Sequence, residues 1–311
     1  MTQIYAVGET ILDIIFKDGV PMAAKPGGSS FNAAISMGRL GLPVTFISEL
    51  GQDQVGDIII DFLEENTVDS AYVSRFKEGK TAIALAFLNA HNDAEYQFYK
   101  DYPYQRLAVE FPEFTSQDFL LFGSFYALNP GIRPRVKELL NKASEAGALL
   151  FYDPNFRDSH LNERDNLLDD IIENIGFADI VRASDEDLKN IFDVDDPDKA
   201  WELVRPWCDV LIYTANSHGV HLRTSSLELH LNVDAITPLS TIGAGDTFNA
   251  GVLYGLYKQG VKKDQLRALD KAAWTGILHT AASFAKEVCL SYENYLSFDF
   301  IEGIDTMDTK S

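Results

Sequence analysis

The amino-acid sequence predicts an α/β fold in which helices cover both faces of a mostly parallel sheet. From residue 119 onward, short apolar runs alternate with amphipathic segments, which is the pattern of strands followed by covering helices. Residues 3–7 form a similar apolar run that ends in Gly8-Glu9, before a glycine-rich loop and a helical segment. Residues 71–100 have no helical pattern and therefore predict a small β-sheet.

The first third of the chain supplies two helices and several strands. The first helix is predicted to end where Gly41 and Pro43 interrupt it. The expected elements are strands 3–7 and 44–50 and helices 31–40 and 57–65. In the small β-sheet, strand-like runs lie at 72–75, 81–88 and 95–99, with a turn at His91-Asn92-Asp93.

The remainder of the chain alternates strands with helices. Residues 184–187 (SDED) open one helix with a pattern like a capping box, and residues 220–222 and 227–231 predict a hairpin. The other predicted strands are 119–122, 148–152, 180–182 and 210–214, and the other helices are 133–146, 167–175, 198–207, 243–259 and 264–285. The polar tail beyond Gly303 is expected to fray.

The charge of the chain excludes several classes of function. Its 311 residues contain 26 Lys and Arg against 47 Asp and Glu, a formal net charge of -21. Nucleic-acid binding needs a basic surface, and so does a polybasic membrane anchor, so neither is expected. A phosphate ligand is not excluded, because one helix N-terminus or one metal ion makes a local positive site in an acidic protein.

Compartment and domain organisation follow from the same composition. Cys208 and Cys289 lie far apart with no metal-ligand spacing, so neither a disulfide framework nor a zinc site is expected. No run of about 18 apolar residues predicts a membrane span, and the first residues do not resemble a signal peptide. We therefore expect a cytoplasmic protein. The length fits two domains or one large α/β domain equally well.

The motif with the most chemical information is residues 240–251 (STIGAGDTFNAG). Small residues at Gly243, Ala244 and Gly245 let backbone N–H groups converge at a helix start, which makes an anion hole. Asp246 in the first turn is then placed to take a proton from a hydroxyl. The alternative is a glycine-rich helix start whose Asp only complements the helix dipole. Phe248 excludes a G-x-G-x-x-G dinucleotide motif, and no Lys follows the glycines as a Walker A loop requires.

A second motif lies near the N-terminus, at residues 27–32 (GGSSFN). Adjacent glycines permit close approach of a ligand, and Asn32 offers a donor and an acceptor from the first turn of a helix. Asp13 follows the end of the first strand, where α/β sheets bind ligands, and its carboxylate accepts hydrogen bonds from hydroxyls. The alternatives are a tight turn with a capping serine and a solvated loop residue.

Together these motifs resemble the ribokinase-like (PfkB) family of ATP-dependent carbohydrate kinases over nearly the full chain. Residues 27–34 (GGSSFNAA) are similar to the first signature of that family, and residues 241–248 (TIGAGDTF) are similar to the second. The resemblance implies a single ribokinase-like three-layer α/β/α domain over residues 1–311. It also implies a small β-sheet lid at about 71–100, with a further contribution from 10–25, and a homodimer through that lid.

The resemblance also assigns roles to individual residues. Asp246 would be the base that deprotonates a sugar hydroxyl, and the amides of Gly243, Ala244 and Gly245 would hold the transferred phosphate. Asp13, Gly28 and Asn32 would bind the sugar. The substrates would be a sugar and ATP, with Mg²⁺ as cofactor.

Residues 153–157 (DPNFR) are similar to the D-P-N-x-R run of the fructokinase branch, so fructose is the favoured substrate. Asn155 and Arg157 would face the phosphates or the sugar. The alternatives are a ribokinase, a 2-keto-3-deoxygluconate kinase, a nucleoside kinase, and a sugar-binding homologue without catalysis. A surface salt bridge is the other explanation for Arg157.

The chain departs from the family pattern at three places. Ser240 stands where the family has an Asp that helps bind a monovalent cation, so the use of a monovalent cation stays open. Asp187 stands for the Glu of Asn-x-x-Glu, and it would contact the metal through water. The T-x-G-x-x-G nucleotide loop appears as residues 214–219 (TANSHG), in which Asn216 replaces a glycine and tolerates positive φ. The nucleotide-binding residues would be Thr214, Asn216, Gly219 and Thr241.

Overall fold

The computed structural model describes residues 2–89 and 94–308. A large sheet lies between two helical layers, and a second, smaller sheet lies beside it. The strands are β1 (Ile4–Val7), β2 (Ile11–Lys17), β3 (Val20–Gly27), β4 (Val44–Gly51), β5 (Val68–Phe76), β6 (Lys80–Leu88), β7 (Ala94–Asp101), β8 (Phe119–Gly123), β9 (Leu149–Asp153), β10 (Ile180–Ser184), β11 (Val210–Thr214), β12 (Val220–Thr224) and β13 (Glu228–Leu231).

The helices cover the large sheet from both sides, as the alternating pattern predicts. They are α1 (Ser29–Arg39), α2 (Gln54–Glu65), α3 (Arg133–Glu145), α4 (Arg164–Phe177), α5 (Asp185–Phe192), α6 (Pro197–Val204), α7 (Ala244–Lys258), α8 (Lys271–Cys289) and α9 (Phe298–Asp308). Among the residues described, none of these helices is both long enough and apolar enough to cross a membrane.

The large sheet is parallel except at one edge. Its strand order is β13-β12-β11-β10-β9-β8-β1-β4-β5, and only β12 and β13 run antiparallel to their neighbours in the described chain. From β1 the chain builds outward to β5 on one side and then, from β8, outward to β13 on the other. The strand order therefore reverses between β1 and β8, and the carboxyl ends of the strands at such a point form a crevice that binds ligands.

Each strand of the large sheet contributes apolar side chains to both faces. Ile180 of β10 packs with α7 and α8, whereas the next residue, Val181, packs with α3 and α4. Because both faces are buried, these strands are nearly continuous apolar runs rather than alternating ones. The result is the three-layer α/β/α fold that the sequence predicts.

The small sheet has the order β3-β2-β6-β7, so its strands come from two separate parts of the chain. The assignment of residues 71–79 to it is wrong, because β5 pairs in parallel with β4 at the edge of the large sheet. Val68 and Val73 of β5 are buried in the main core, which explains this pairing. The contribution expected from residues 10–25 is present as β2 and β3, which are two of the four strands of the small sheet. The predicted turn at His91-Asn92-Asp93 lies outside the described residues.

Two further predictions about helices differ from the structure. The helix expected at 264–285 is a 3-10 segment (Lys263–Ala268) followed by α8, which begins later because the Asp270 side chain accepts a hydrogen bond from the Ala273 amide, 2.8 Å. Within the tail beyond Gly303, residues 304–308 belong to α9 rather than fraying, and residues 309–311 lie outside the described residues. Ile301 of α9 is buried in a small cluster with Phe284 and Val288 of α8, which holds that helix in place.

Close contact between α7 and α8 leads to a test of the packing. A Cβ on Gly251 of α7 would lie 2.5 Å from the Cα of Ala281 in α8, and backbone cannot move aside without separating the helices. We predict that Gly251→Ala lowers the free energy of unfolding by about 1–3 kcal/mol in urea denaturation. The control is Gly276→Ala in α8, where nothing lies within 4 Å. It should be neutral or raise stability by up to about 1 kcal/mol. Equal losses in both variants would contradict the packing argument.

Candidate active site

The glycine-rich motif forms the N-terminus of α7. Gly243 is the N-cap, with φ 82°, a left-handed conformation that favours glycine. A Cβ at this position would also lie 2.3 Å from the carbonyl oxygen of Asn294, so the close approach requires glycine as well. No side chain caps the helix, and the amides of Gly245 and Asp246 donate to no partner within the described chain. The Ala244 amide makes a long bond to the Thr241 carbonyl, 3.3 Å. Unpaired N–H groups at a helix N-terminus are an arrangement that suits an anion.

Asp246 is buried in the first turn of α7, and both its carboxylate oxygens are engaged. Oδ1 accepts a hydrogen bond from the Ser29 hydroxyl, 2.7 Å, and Oδ2 accepts one from the Asn32 amide, 2.8 Å. Burial raises the pKa of Asp246 to about 6, while the two hydrogen bonds oppose the rise. Such a group is ionised at neutral pH but is basic enough to accept a proton from a hydroxyl in a transition state.

The N-terminal motif holds the partners of Asp246. Gly28 is the N-cap of α1 with φ 142°, and a Cβ there would lie 2.3 Å from the Glu9 carbonyl oxygen. This close turn positions Ser29 and Asn32 in the first turn of α1, where they reach α7. The Oδ1 of Asn32 is buried and has no hydrogen-bond partner in the described chain. It therefore remains available to accept a hydrogen bond from a ligand.

Asp13 lies on the small sheet close to this motif. It stands opposite Lys25 of β3 and beside Ala84 of β6, and its Oδ2 would be 3.0 Å from a Cβ on Gly27. Burial raises the pKa of Asp13 to about 6. Phe98 of β7 pairs with Ala84, so the register places an exposed aromatic ring on the same face as Asp13.

A cavity of about 520 Å³ opens at the start of α7. It brings together the residues that the sequence predicts for phosphate, nucleotide and metal, which are Gly243, Ala244, Gly245, Asp246, Thr241, Thr214, Asn216, Gly219 and Asp187. Of the four predicted substrate-binding residues, Arg157 lines this cavity, whereas Asp13, Gly28 and Asn32 do not. Asn32 reaches it through Asp246, to which it is hydrogen-bonded. Asp246 thus lies at the boundary between the two groups.

The loop from 214 to 219 has the conformation expected for the altered nucleotide motif. Asn216 adopts φ 47° and Gly219 φ 94°, so the replacement of glycine by asparagine does not prevent the turn. Thr214 differs from the expectation in one respect, because its hydroxyl accepts a hydrogen bond from Arg182, 2.7 Å. Its role toward a nucleotide stays a prediction. Ser240, at the position of the missing carboxylate, accepts a hydrogen bond from the Ile242 amide, 3.2 Å.

Sequence reasoning did not select Arg182 and Asn249, which meet Asp153 and the predicted Thr214 where three adjacent strands end. Asp153 of β9 accepts hydrogen bonds from Arg182 of β10, 3.1 Å, and from Asn249 of α7, 2.5 Å. A pattern in the strands indicates this group in retrospect. On the α7 face of each strand, an apolar residue is followed two positions later by a polar one: Phe151 and Asp153, Ile180 and Arg182, Ile212 and Thr214.

The start of α5 has the predicted capping box, with Ser184 and Asp187 as partners. Asp187 is buried, and its oxygens accept hydrogen bonds from the Ser184 amide and hydroxyl and from the Phe156 amide. Burial first, and then the charge of Asp153, raise its pKa. Exposed Glu186 and half-buried Asp185 also line the cavity. The metal role of Asp187 therefore stays a prediction.

No group of three or more His, Cys, Asp or Glu side chains in the described chain forms a ready metal cage. Magnesium in phosphoryl-transfer sites usually relies on one or two carboxylates together with the phosphates of the substrate. The acidic start of α5 at the mouth of the cavity fits that mode of binding.

The site thus combines a buried carboxylate, a free helix N-terminus and hydrogen-bonding groups from α1, an arrangement that suits transfer of an anionic group to a hydroxyl. The chain belongs to the pfkB family of carbohydrate kinases, whose family model matches residues 1–287. It is therefore a sugar kinase by family, and the expected family is confirmed.

Similar proteins agree with this assignment. A probable fructokinase-2 from Arabidopsis thaliana is 27% identical over 265 residues, covering 80% of this chain and 80% of the relative. A fructokinase from Rhizobium leguminosarum bv. trifolii is 27% identical over 283 residues, covering 87% and 85%. Among solved structures, the fructokinase from Vibrio cholerae O395 with fructose, ADP and calcium bound has a TM-score of 0.83 at 20% identity, covering 97% of this chain and 98% of that one.

The aminoimidazole riboside kinase from Salmonella enterica, solved with aminoimidazole riboside and an ATP analog, superimposes with a TM-score of 0.82. Its sequence is 21% identical, and the match covers 98% of this chain and 99% of that one. At such low identity these two solved structures confirm the ribokinase-like fold.

The raised pKa of Asp246 predicts a pH-dependent contribution to stability. The pKa is 3.8 for the ordinary group and about 6 in the folded protein, so the protonated carboxyl stabilises the fold fully below about 3.8. This stabilisation is lost as pH rises through about 6, and its size is about 3 kcal/mol. Asp246→Asn removes the titration, and its amide can still pair with Ser29 and Asn32. We predict that wild type loses about 3 kcal/mol relative to this variant between about pH 4 and about pH 8.

The measurement is urea denaturation of both proteins across that pH range. Asp61→Asn is the control, because Asp61 is an exposed carboxylate on α2 and its variant should follow wild type. A constant difference between wild type and Asp246→Asn at all pH values would contradict the assignment of a raised pKa.

Proposed function

We propose that this chain transfers the γ-phosphoryl group of ATP to a hydroxyl of fructose. The observation that carries the proposal is the buried Asp246 carboxylate at the edge of the cavity, held by Ser29 and Asn32 beside the free amides of α7. The fructokinase relatives at 27% identity support fructose among the sugars of the family. Residues 153–157 (DPNFR) support the same choice.

The proposal gives each residue of the site a role. Asp246 takes the proton of the attacking hydroxyl, and the amides of Gly243, Ala244 and Gly245 stabilise negative charge on the transferred phosphoryl. Asp13, Gly28 and Asn32 bind the sugar, and the buried Oδ1 of Asn32, which has no partner in the described chain, accepts a hydrogen bond from one of the sugar hydroxyls. Arg157 is exposed, lines the cavity and has no ion-pair partner within the described chain, so its guanidinium is available to phosphate.

The nucleotide side of the proposal uses Thr214, Asn216, Gly219 and Thr241, which all line the cavity. Bound Mg²⁺ would neutralise charge on the phosphates. Asp187 would contact that metal through water, and the neighbouring Glu186 would add a second carboxylate. The small sheet, which carries Asp13, acts as a lid that excludes water from the sugar.

Turnover by a panel of acceptors tests this proposal. We predict that MgATP and fructose give ADP and a phosphorylated sugar, and that Asp246→Asn lowers kcat by about 10²–10⁴-fold because the general base is lost. ADP release is followed by a coupled assay, and the sugar product by mass spectrometry.

Ribose, 2-keto-3-deoxygluconate, glucose and adenosine serve as the competing acceptors. If the protein prefers one of them, that acceptor rather than fructose is its substrate, and the assignment as a kinase stands. No turnover with any acceptor, by a protein that stays folded, would favour a sugar-binding homologue without catalysis.

We also propose that the small sheet forms a homodimer. Val20, Met22, Phe98 and Tyr99 are each more than half exposed on its strands, so a monomer would leave apolar side chains in water on both faces of the sheet. Phe98 shares the face of Asp13, and its neighbour Tyr99 lies on the other face. A stable dimer buries about 800 Å² on each partner, and an exposed sheet of four strands offers such a surface.

Light scattering after size exclusion tests the dimer. We predict that Met22→Glu/Tyr99→Glu converts the protein to a monomer, because two carboxylates on each partner would be buried without pairing. Trp207→Glu is the matched control, since Trp207 is 56% exposed in the turn after α6, away from the small sheet. A monomeric wild type, or a dimer that survives the double substitution, would contradict the proposal.

A further inference from the structure

Arg182 is a buried arginine that the proposed reaction has not yet used. It is 8% exposed and lines the cavity at the start of α7. One of its terminal nitrogens, Nη1, donates to Asp153 Oδ2 at 3.1 Å, and the other, Nη2, donates to Thr214 Oγ1 at 2.7 Å. A guanidinium has five N–H donors. The buried Nε has no partner in the described chain, so this side chain is only partly satisfied by the protein.

Gly245 shows how close this guanidinium lies to the anion hole. Its backbone is ordinary helix, without the positive φ of Gly243, so conformation does not require glycine there. A Cβ at this position would instead lie 2.8 Å from Nη1 and 3.2 Å from Nη2 of Arg182. The missing side chain makes room for the guanidinium directly against the first turn of α7.

The carboxylates nearby do not account for this arrangement by themselves. Asp153 already accepts hydrogen bonds from the Asn155 amide and from Asn249 as well as from Arg182. A guanidinium kept only to neutralise Asp153 would have its other donors paired, because leaving a buried N–H group unpaired costs free energy. The guanidinium lines a cavity beside a free helix N-terminus and is only partly satisfied by the protein, and this arrangement indicates a further ligand that is anionic.

We propose that Arg182 binds the phosphate that the amides of residues 243–245 hold, which makes it a phosphate-binding residue of the site. This inference rests on the proposed function for the identity of the ligand as the phosphate chain of ATP. Asp153, Thr214 and Asn249 act as positioning residues, because they fix the guanidinium against Gly245.

The test measures binding of three probes by calorimetry in the presence of Mg²⁺: adenosine, ADP and a non-hydrolysable ATP analogue. Arg182→Met alone would leave Asp153 buried without its ion pair and would endanger folding. The main variant is therefore Arg182→Met/Asp153→Asn, which removes both charges. We expect its affinity for the ATP analogue to fall about 10- to 100-fold, with adenosine affinity unchanged.

Three controls separate phosphate binding from a structural role. Asp153→Asn alone keeps Arg182, and its amide oxygen can still accept from the guanidinium, so it should lose less affinity for the ATP analogue than the double variant does. Arg182→Lys keeps the charge but not the planar donors, and should recover part of the lost affinity. Arg133→Lys alters another buried arginine, paired with Glu173 on the opposite face of the sheet, and should change stability without changing any of the three affinities.

The outcomes distinguish this inference from the proposed function. Wild-type affinity of the double variant for the ATP analogue, or an equal loss for adenosine, would overturn the role of Arg182. A wild type that binds the analogue through Arg182 yet phosphorylates no sugar would overturn the kinase reaction and keep the phosphate site. A wild type that binds neither ADP nor the analogue would overturn both.

Discussion

The site depends on burial of one carboxylate between two distant parts of the chain. Asp246 accepts hydrogen bonds from Ser29 and Asn32, which lie 217 and 214 residues earlier in the sequence. A buried carboxylate without such partners would be strongly disfavoured as an ion, so these bonds keep a basic group available at neutral pH. The contact also fixes α1 against α7, which joins the N-terminal motif to the glycine-rich motif in one place.

The surrounding packing serves that contact. Gly251 lets α7 lie directly against α8, and Gly243 lets the first turn of α7 approach the loop at Asn294. The carboxyl ends of β9 and β10 lie against this turn, where Asp153 contacts Asn249 and Arg182 lies against Gly245. Because the contacts at Gly251 and Gly243 are between backbone atoms, the amides of α7 are held rigidly, and such preorganisation is what makes fixed dipoles effective toward a charged transition state.

The sequence predicts the motifs well because their residue types carry local meaning. Glycines at a helix start, a carboxylate in its first turn and a capping box are recognisable without the fold, and α1, α5 and α7 begin within two residues of where these features place them. Arg182 and Asn249 escaped notice because their importance arises only when β9, β10 and β11 are aligned with α7. The sequence predicts β5 as part of the small sheet because no helical pattern separates it from β6 and β7, and only its pairing with β4 places it in the large sheet.

The net charge of -21 describes the whole chain and not the local charge at the site. The acidic surface repels polyanions, yet the cavity at α7 collects unpaired N–H groups, the exposed Arg157 and the buried Arg182. Charges at a partly buried site act on a ligand more strongly than screened charges on the surface. An anion that enters the site is therefore bound by a few oriented donors, while the acidic exterior makes nonspecific association with polyanions unfavourable. The cavity also holds carboxylates at the start of α5, so its cationic part is confined to the N-terminus of α7 and the two arginines. The groups that suit a phosphate therefore lie beside Asp246, on the side of the cavity where the proposed transfer would take place.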